Sequence, residues 1–359
     1  MKMMFVGGGS LGPVTPLIAT AQALRRLAPG VQVVWVGTSQ GPERAVVEAA
    51  GITFETLPVV KWPRHPTLAW IKTVGAWWQA RQQAGKILER WQPDVVVSVG
   101  GFSAVPMMRA AARRPIPCVT HQLDVEPGLA NRLVARLCVS VTSSFPYRHS
   151  PFGSFLIPEQ IPTPVRFRAA DLPAQSDAIQ RFGLDPAKPV VLVFGGGQGA
   201  RALNEMMERT RLQWLKFTQV IHVTGLGKGP MLANQPAQGY AVRASLDERA
   251  MRDAYAAAHL LVCRGGMGTL SEGIAALGKA AIVVPLPASH QEANARAFAD
   301  QGAVILLAQT RPDFDEKLLA QAKRLLNDAE ERLAMGVRAQ TFFATDDGTT
   351  FAKRILNIS

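Results

Sequence analysis

Val190-Val191-Leu192-Val193-Phe194-Gly195-Gly196-Gly197-Gln198-Gly199 is an apolar five-residue strand that runs straight into a glycine-rich loop. Such a loop lets backbone N–H groups approach an anion at a helix N-terminus, where the dipole favours negative charge. About half a chain earlier, Met3-Met4-Phe5-Val6 runs into Gly7-Gly8-Gly9-Ser10-Leu11-Gly12 in the same way. One copy indicates a nucleotide-binding domain; two indicate twin α/β domains with a cleft between them. Strand-like runs surround both copies, at 2–6, 32–36, 94–99, 116–120 and 137–142, then at 189–194, 218–224, 259–263, 280–284 and 303–307. Most are continuous Val/Ile/Leu runs, as expected for parallel strands buried on both faces. Between them lie amphipathic segments such as 16–27, with Leu17, Ile18, Ala21, Leu24 and Leu27 on one face. Repeated β-α-β order implies doubly wound parallel sheets. The pattern restarts near 189 after Pro158, Pro162, Pro164 and Pro173, which places domains at 1–163 and 164–340. The remainder, 341–359, holds a helix at about 349–358 that is too short to stand alone and is expected to pack back on the first domain.

Composition narrows the class. A chain of 359 residues, 48% apolar and 18% charged, is globular and long enough for about two domains. The run Met3–Val6 meets glycine too soon for a signal-peptide core, and no stretch reaches the ~18 apolar residues of a spanning helix. Cys118, Cys138 and Cys263 are scattered and odd in number, which argues for a reducing compartment and against a disulfide frame. The six histidines lack metal-ligand spacing, so no metal is expected. The net charge of +12 leaves nucleic acid, anionic lipid and polyanionic substrates open. Five of the seven tryptophans (Trp62, Trp70, Trp77, Trp78, Trp91) fall within 60–91, where six basic residues face only Glu89. Trp70, Val74, Trp77 and Trp78 form one helical stripe. It reads either as a core face with a solvated basic side, or as an interfacial helix on an anionic leaflet. No nucleic-acid-binding motif accompanies the charge.

Three segments carry chemistry. Gly7-x-Gly9-x-x-Gly12 matches the dinucleotide fingerprint, but the second strand ends in Gly37-Thr38-Ser39 without the acidic residue a nicotinamide cofactor needs. The second copy has the same omission, with Ile221-His222-Val223 running into Thr224-Gly225. Cys263-Arg264-Gly265-Gly266-Met267-Gly268-Thr269-Leu270-Ser271-Glu272 delivers glycines from a strand to a helix. Thr269 and Glu272 have capping-box spacing; alternatively, the amides of Gly266 to Thr269 bind a diphosphate and Glu272 binds ribose. Downstream, His290 and Gln291 follow a strand that ends at Pro285, where open α/β sheets bind ligands.

Together with Pro164-Val165-Arg166, Gly195-Gly196-Gly197-Gln198-Gly199-Ala200-Arg201-Ala202-Leu203-Asn204, His290-Gln291-x-x-Asn294-Ala295, Gly100-Gly101-Phe102 and Gly128-Leu129-Ala130-Asn131, this segment resembles the MurG family over nearly the whole chain. The resemblance implies an α/β fold of GT-B type, two Rossmann-like doubly wound parallel-sheet domains facing a central cleft. It implies an inverting, cofactor-independent enzyme that transfers GlcNAc from UDP-GlcNAc to lipid I, a polyprenyl-diphosphate-linked acceptor. By the same resemblance Arg166 contacts the nucleotide, and Gly196, Gly197, Gln198 and Gly199 cradle the diphosphate with Arg264, Gly266, Met267, Gly268 and Thr269. Leu270, Ser271 and Glu272 follow on that helix, with Glu272 on ribose; Leu246 neighbours the base, and His290 with Gln291 touches the sugar. The N-terminal domain carries the acceptor loop Ser10, Leu11 and Gly12 and a membrane-facing apolar patch with a basic rim. This implies a peripheral enzyme on an anionic membrane surface at the cytoplasmic face, with no nucleic-acid partner.

The departures lie on the acceptor side. Pro13 stands where the family has a histidine often given the proton-acceptor role, His121-Gln122-Leu123-Asp124 replaces His-Glu-Gln-Asn, and Gly197 replaces a serine. Asp124 is therefore the expected general base, with Glu126 second and His121 third; the alternative is that Asp124 or Glu126 caps the helix of Leu129, Leu133 and Leu137. Competing functions are a GT-B enzyme for another lipid such as diacylglycerol, a non-catalytic UDP-sugar binder and, last, a nucleic-acid binder.

Overall fold

The computed structural model describes residues 1–9, 11–39, 41–59, 69–153, 156–196, 199–228 and 237–358, with backbone alone over 69–74. Ser10, Gly197, Gln198, Trp62 and the side chains of Trp70 and Val74 lie outside the described residues. The chain divides into two compact units, Met1–Arg166 with Asp346–Ser359, and Phe167–Thr345.

The first unit is built on a sheet of seven parallel strands, in the order Thr53–Leu57, Gln32–Thr38, Lys2–Val6, Val95–Ser98, Cys118–Gln122, Ser140–Ser143, Glu159–Gln160. Met3–Val6 and Val95–Val97 are wholly buried, as continuous apolar runs covered on both faces must be. The helix Val14–Leu27 starts directly after Pro13, whose φ of −75° is already helical, and buries Leu17, Ile18, Ala21 and Leu24. In the helix Ala69–Trp91 the buried stripe is Ala80, Ala84, Ile87 and Leu88, flanked by Trp77 and Trp91 against the core. Trp78 is 60% exposed. The expected tryptophan stripe therefore splits, because adjacent residues on a helix point about 100° apart.

The first unit recovers the chain at Asp346. Val165 N donates to Asp346 O at 2.8 Å, so the unit keeps Val165 and Arg166 and its edge lies three residues beyond the expected 163. Arg166 consequently closes this unit instead of opening the next. The last helix, Thr349–Leu356, buries Phe351, Ala352 and Ile355 and packs against Val14–Leu27. Gly348, at φ +84°, precedes it; a Cβ there would lie 2.7 Å from the Ala19 carbonyl, so this close approach requires glycine.

The second unit has six parallel strands in the order Tyr240–Arg243, Gln219–Val223, Val190–Phe194, Leu260–Cys263, Ala281–Val283, Ile305–Leu306. In both sheets the first strand of the unit is central, with the second on one side and the fourth on the other. That is the doubly wound order, and its switch point lies beside the glycine loop of each unit. All ten expected strands form. Thr53–Leu57, Glu159–Gln160 and Tyr240–Arg243 were not anticipated: each is a sheet edge with polar or charged members, among them Glu55, Glu159 and Arg243, as edges exposed to solvent tend to be. No described helix is long and apolar enough to cross a membrane.

Candidate active site

In the second unit, Arg243, Val223, Phe194, Cys263 and Val283 are paired in register across neighbouring strands. Their strands all point the same way, so the loops that follow leave one edge of the sheet. Two of these loops, 195–199 and 264–268, adjoin the switch point. Gly199 (φ +67°) leaves no space for a side chain, since a Cβ would meet Thr224 O at 2.3 Å. Asn204, one turn into the helix Arg201–Trp214, ties the neighbouring loop down: its Nδ2 donates to Thr224 O (2.9 Å) and Lys228 O (2.8 Å). Its Oδ1 lies 3.0 Å from His222 Nε2, and His222 Nδ1 lies 2.8 Å from Tyr240 Oη. An amide oxygen only accepts, so the His222 proton sits on Nε2 and Tyr240 donates to Nδ1.

The second loop is held as firmly. Arg264 Nη1 donates to Val284 O (2.9 Å), Pro285 O (3.1 Å) and Gln309 Oε1 (2.7 Å). Arg264 is buried, and this nitrogen couples the loop to the end of the next strand. Arg264, expected beside the diphosphate, is thus tied through Nη1 to the strand end and to Gln309. Gly265 lies against the helix His290–Ala299, where a Cβ would sit 2.6 Å from Gln291 O. Gly266 is the N-cap of the next helix, and Thr269 N and Leu270 N return to Gly266 O. The first amides of a helix have no intrahelical partner, which leaves those of Met267 and Gly268 facing out of the helix start. Because the helix starts at Met267, Thr269 lies inside it and the capping-box reading of Glu272 falls. Glu272 is 2% exposed on a π-helical segment, Leu270–Ala276, one turn further in; such segments are frequent at functional sites. Ser271 Oγ donates to Met267 O at 2.6 Å. His290 is exposed at the start of its helix, and Ser289, the N-cap, accepts from Gln291 N. Gln291 Oε1 in turn accepts from Leu286 N at 3.1 Å, which holds the turn containing Ala288 at φ +52°. Leu246 is half-buried in the loop before Asp247, the N-cap of Glu248–Ala257.

In the first unit the glycine loop 7–12 meets Gly100-Gly101-Phe102: a Cβ on Gly101 (φ +94°) would lie 2.9 Å from Gly8 O. Beside Gly100 stands Asn131, 5% exposed, whose Nδ2 donates to Gln122 Oε1 at 2.6 Å. Gln122 Nε2 donates to Asp124 O (2.7 Å), and Tyr147 Oη donates to Val125 O (2.8 Å) and reaches Asp124 O (3.2 Å). These tethers fix the loop that carries the half-buried Asp124 and the exposed Glu126. Burial first, then the negative Asp124 and Glu126, push the Tyr147 phenol above its usual range, so both carboxylates lie near it. The helix Leu129–Val134 has Gly128, which carries no side chain, as its N-cap. Asn131 Oδ1, Ser103 Oγ and Thr120 Oγ1 are buried without a hydrogen-bond partner among the described residues.

His121 is corrected. It is wholly buried, with Nδ1 2.9 Å from Thr142 Oγ1, Nε2 2.9 Å from Ser144 Oγ, and its ring 5.4 Å from that of Phe351. Burial lowers its pKa to about 3, and it takes no part as a base. Burial likewise lowers His222 to about 4. An unfolded histidine protonates near pH 6.5, so below that value the unfolded chain binds more protons than the fold does and stability drops with pH. A Tm series from about pH 7.5 to about 4.5 should decline throughout its acid half; a flat series contradicts this.

Among the described residues no group of three His, Cys, Asp or Glu side chains is placed to hold a metal ion. The family models described as glycosyltransferase family 28 N-terminal domain and C-terminal domain match residues 3–143 and 190–348. A relative from Nocardioides sp., named UDP-N-acetylglucosamine--N-acetylmuramyl-(pentapeptide) pyrophosphoryl-undecaprenol N-acetylglucosamine transferase, is 36% identical over 100% of this chain and 98% of its own. One of the same name from Thermobifida fusca is 34% identical over 100% of this chain and 94% of its own. Among solved structures, Acinetobacter baumannii MurG superposes with a TM-score of 0.70 at 25% identity, covering 99% of each chain. The Streptomyces sp. SF2575 glycosyltransferase SsfS6, crystallised with thymidine diphosphate, shares the fold at 16% identity and a TM-score of 0.68, covering 99% of each chain.

Proposed function

The chain belongs to the MurG family within glycosyltransferase family 28, and on that footing we infer its reaction. It is a hexosyltransferase that moves GlcNAc from UDP-GlcNAc to the muramyl sugar of undecaprenyl-diphosphate-linked lipid I, giving lipid II for peptidoglycan. The observation that carries this reading is full-length identity to enzymes named for that transfer. The arrangement of loops in the second unit supports the donor side.

Transfer is an inverting displacement: the acceptor hydroxyl attacks the anomeric carbon from the face opposite the diphosphate, and UDP leaves. Charge builds on the leaving diphosphate. The glycine loop after Phe194 and the amides of Met267 and Gly268 at the helix start take up that charge, on a scaffold fixed by Arg264 and Asn204. Glu272 accepts from the ribose hydroxyls, Leu246 adjoins the base, Arg166 contacts the nucleotide, and His290 with Gln291 contacts the sugar. No cofactor takes part. On the first unit Asp124 removes the proton of the attacking hydroxyl. The orphan acceptor Asn131 Oδ1, beside the glycine loops, suits a donor from the incoming acceptor.

The enzyme acts from the cytoplasmic face of the membrane as a peripheral protein, without a nucleic-acid partner. A cavity of about 400 Å³ in the first unit supports this, lined by Arg109, Arg132 and Arg136 with Leu133, Pro151 and Phe152. Leu129 and Leu133 are exposed on one face of the adjoining helix. Each Arg near an anionic surface contributes about 1 kcal/mol, so replacing all three with Gln should weaken binding to phosphatidylglycerol vesicles about a hundredfold. Unchanged sedimentation with vesicles would remove this face from membrane binding.

UDP release measured with a soluble lipid I analogue, read together with the mass of the product, tests the reaction. The altered acceptor loop around Pro13 and Asp124 makes diacylglycerol the informative second acceptor in the same assay. Transfer to diacylglycerol but not to the analogue would replace lipid I as the acceptor.

A further inference from the structure

Glu43 is a wholly buried acid that the transfer described above does not use. It is the first residue of the helix Glu43–Ala49, and its side chain turns back onto the glycine loop of the first unit. Oε2 accepts from Gly9 N at 3.2 Å; Oε1 accepts from Thr38 N at 2.7 Å and from Thr38 Oγ1 at 2.5 Å. Among the described residues no Lys or Arg pairs with it. Glycines make its space: a Cβ on Gly8 would lie 2.3 Å from Oε1, and one on Gly41 would lie 1.9 Å from Oε2. Two amides and a hydroxyl are thus directed at one carboxylate at the start of a helix.

A glycine loop opening a helix ordinarily offers its amides to a phosphate. Here an internal anion already occupies the Gly9 amide, and a diphosphate brought to that position would meet a like charge. The influence of Glu43 then passes outward: Gly8 abuts Gly101, Phe102 covers Gly9, Gly100 adjoins Asn131, and Asn131 leads through Gln122 to the backbone of Asp124.

We propose that Glu43 is a positioning residue for the acceptor, an internal carboxylate that shapes the first glycine loop for the lipid-linked sugar and not for a second nucleotide. The proposal rests on the assignment of the acceptor to the first unit. Glu43→Gln keeps the side-chain shape but turns an NH2 group towards backbone donors. Acceptor KM should rise about tenfold or more, the effect of one lost charge-assisted hydrogen bond, while donor KM stays within about twofold. Hydrogen exchange of the peptide spanning residues 5–14 should speed up, with Tm within about 5 °C of the parent. A general packing defect would instead raise exchange across the unit and move both KM values together, and that result overturns the proposal. An unmoved acceptor KM also overturns it. Should Glu43→Gln fail to fold, Thr38→Val removes one of the three donors and should give the same pattern at smaller amplitude; no change in acceptor KM there counts against the proposal. A parent enzyme without turnover on the lipid I analogue overturns the acceptor assignment and this proposal together, whereas parent turnover with an insensitive variant overturns this proposal alone.

Discussion

Asp124→Asn is expected to lower kcat about 10²–10⁴-fold while leaving the affinity for UDP unchanged, the effect of losing the general base we propose. Pro13 leaves the first glycine loop without an imidazole, and His121 is sealed between Thr142, Ser144 and Phe351. The loop after the strand Cys118–Gln122 then supplies the carboxylates. Its backbone at 124 and 125 is anchored by Gln122 and Tyr147, so the substitution leaves the loop in place. Glu126, exposed on the same loop, provides the control: Glu126→Gln should cost far less than Asp124→Asn. Initial rates with a lipid I analogue, alongside UDP titration calorimetry, separate the two roles. Full activity of the Asn variant takes Asp124 out of the base role.

Glu272→Ala is expected to weaken binding of UDP and UDP-GlcNAc alike, by roughly 1.5–3 kcal/mol, the range for hydrogen bonds to a charged group. That corresponds to about 10- to 100-fold in Kd. The effect is shared by the two ligands because ribose is common to them. Glu272 is buried one turn behind the Gly266–Thr269 helix start. Loss of sugar discrimination with UDP affinity intact would shift Glu272 from the ribose to the transferred sugar.

Much of this was legible from residue order. Continuous runs such as Val190–Phe194 and Val95–Ser98 declare strands buried on both faces, and glycines directly after them declare the ligand edge. Edge strands were hidden because Thr53-Phe54-Glu55-Thr56-Leu57 lacks an apolar run. The role of His121 was misread from its place beside the loop: strand alternation turns it away from its neighbour Gln122, which does reach the loop. Thr269 carried a capping signature, yet the helix begins two residues earlier because Gly266 adopts the extended N-cap geometry (φ −76°, ψ 139°). Glu43 gave no local signal at all, since its partners Gly9 and Thr38 come from two other segments. The same holds for Gln309 on Arg264 and Tyr240 on His222. Such long-range contacts are set by sheet order and not by spacing.

The most direct test is a crystal structure of the enzyme with UDP-GlcNAc. The expected result is a diphosphate within hydrogen-bond distance of the amides of residues 266–269, with ribose against Glu272 and the amides of 196–199 alongside. A nucleotide seated instead on the loop 7–12 of the first unit, where Glu43 holds the Gly9 amide, would contradict it.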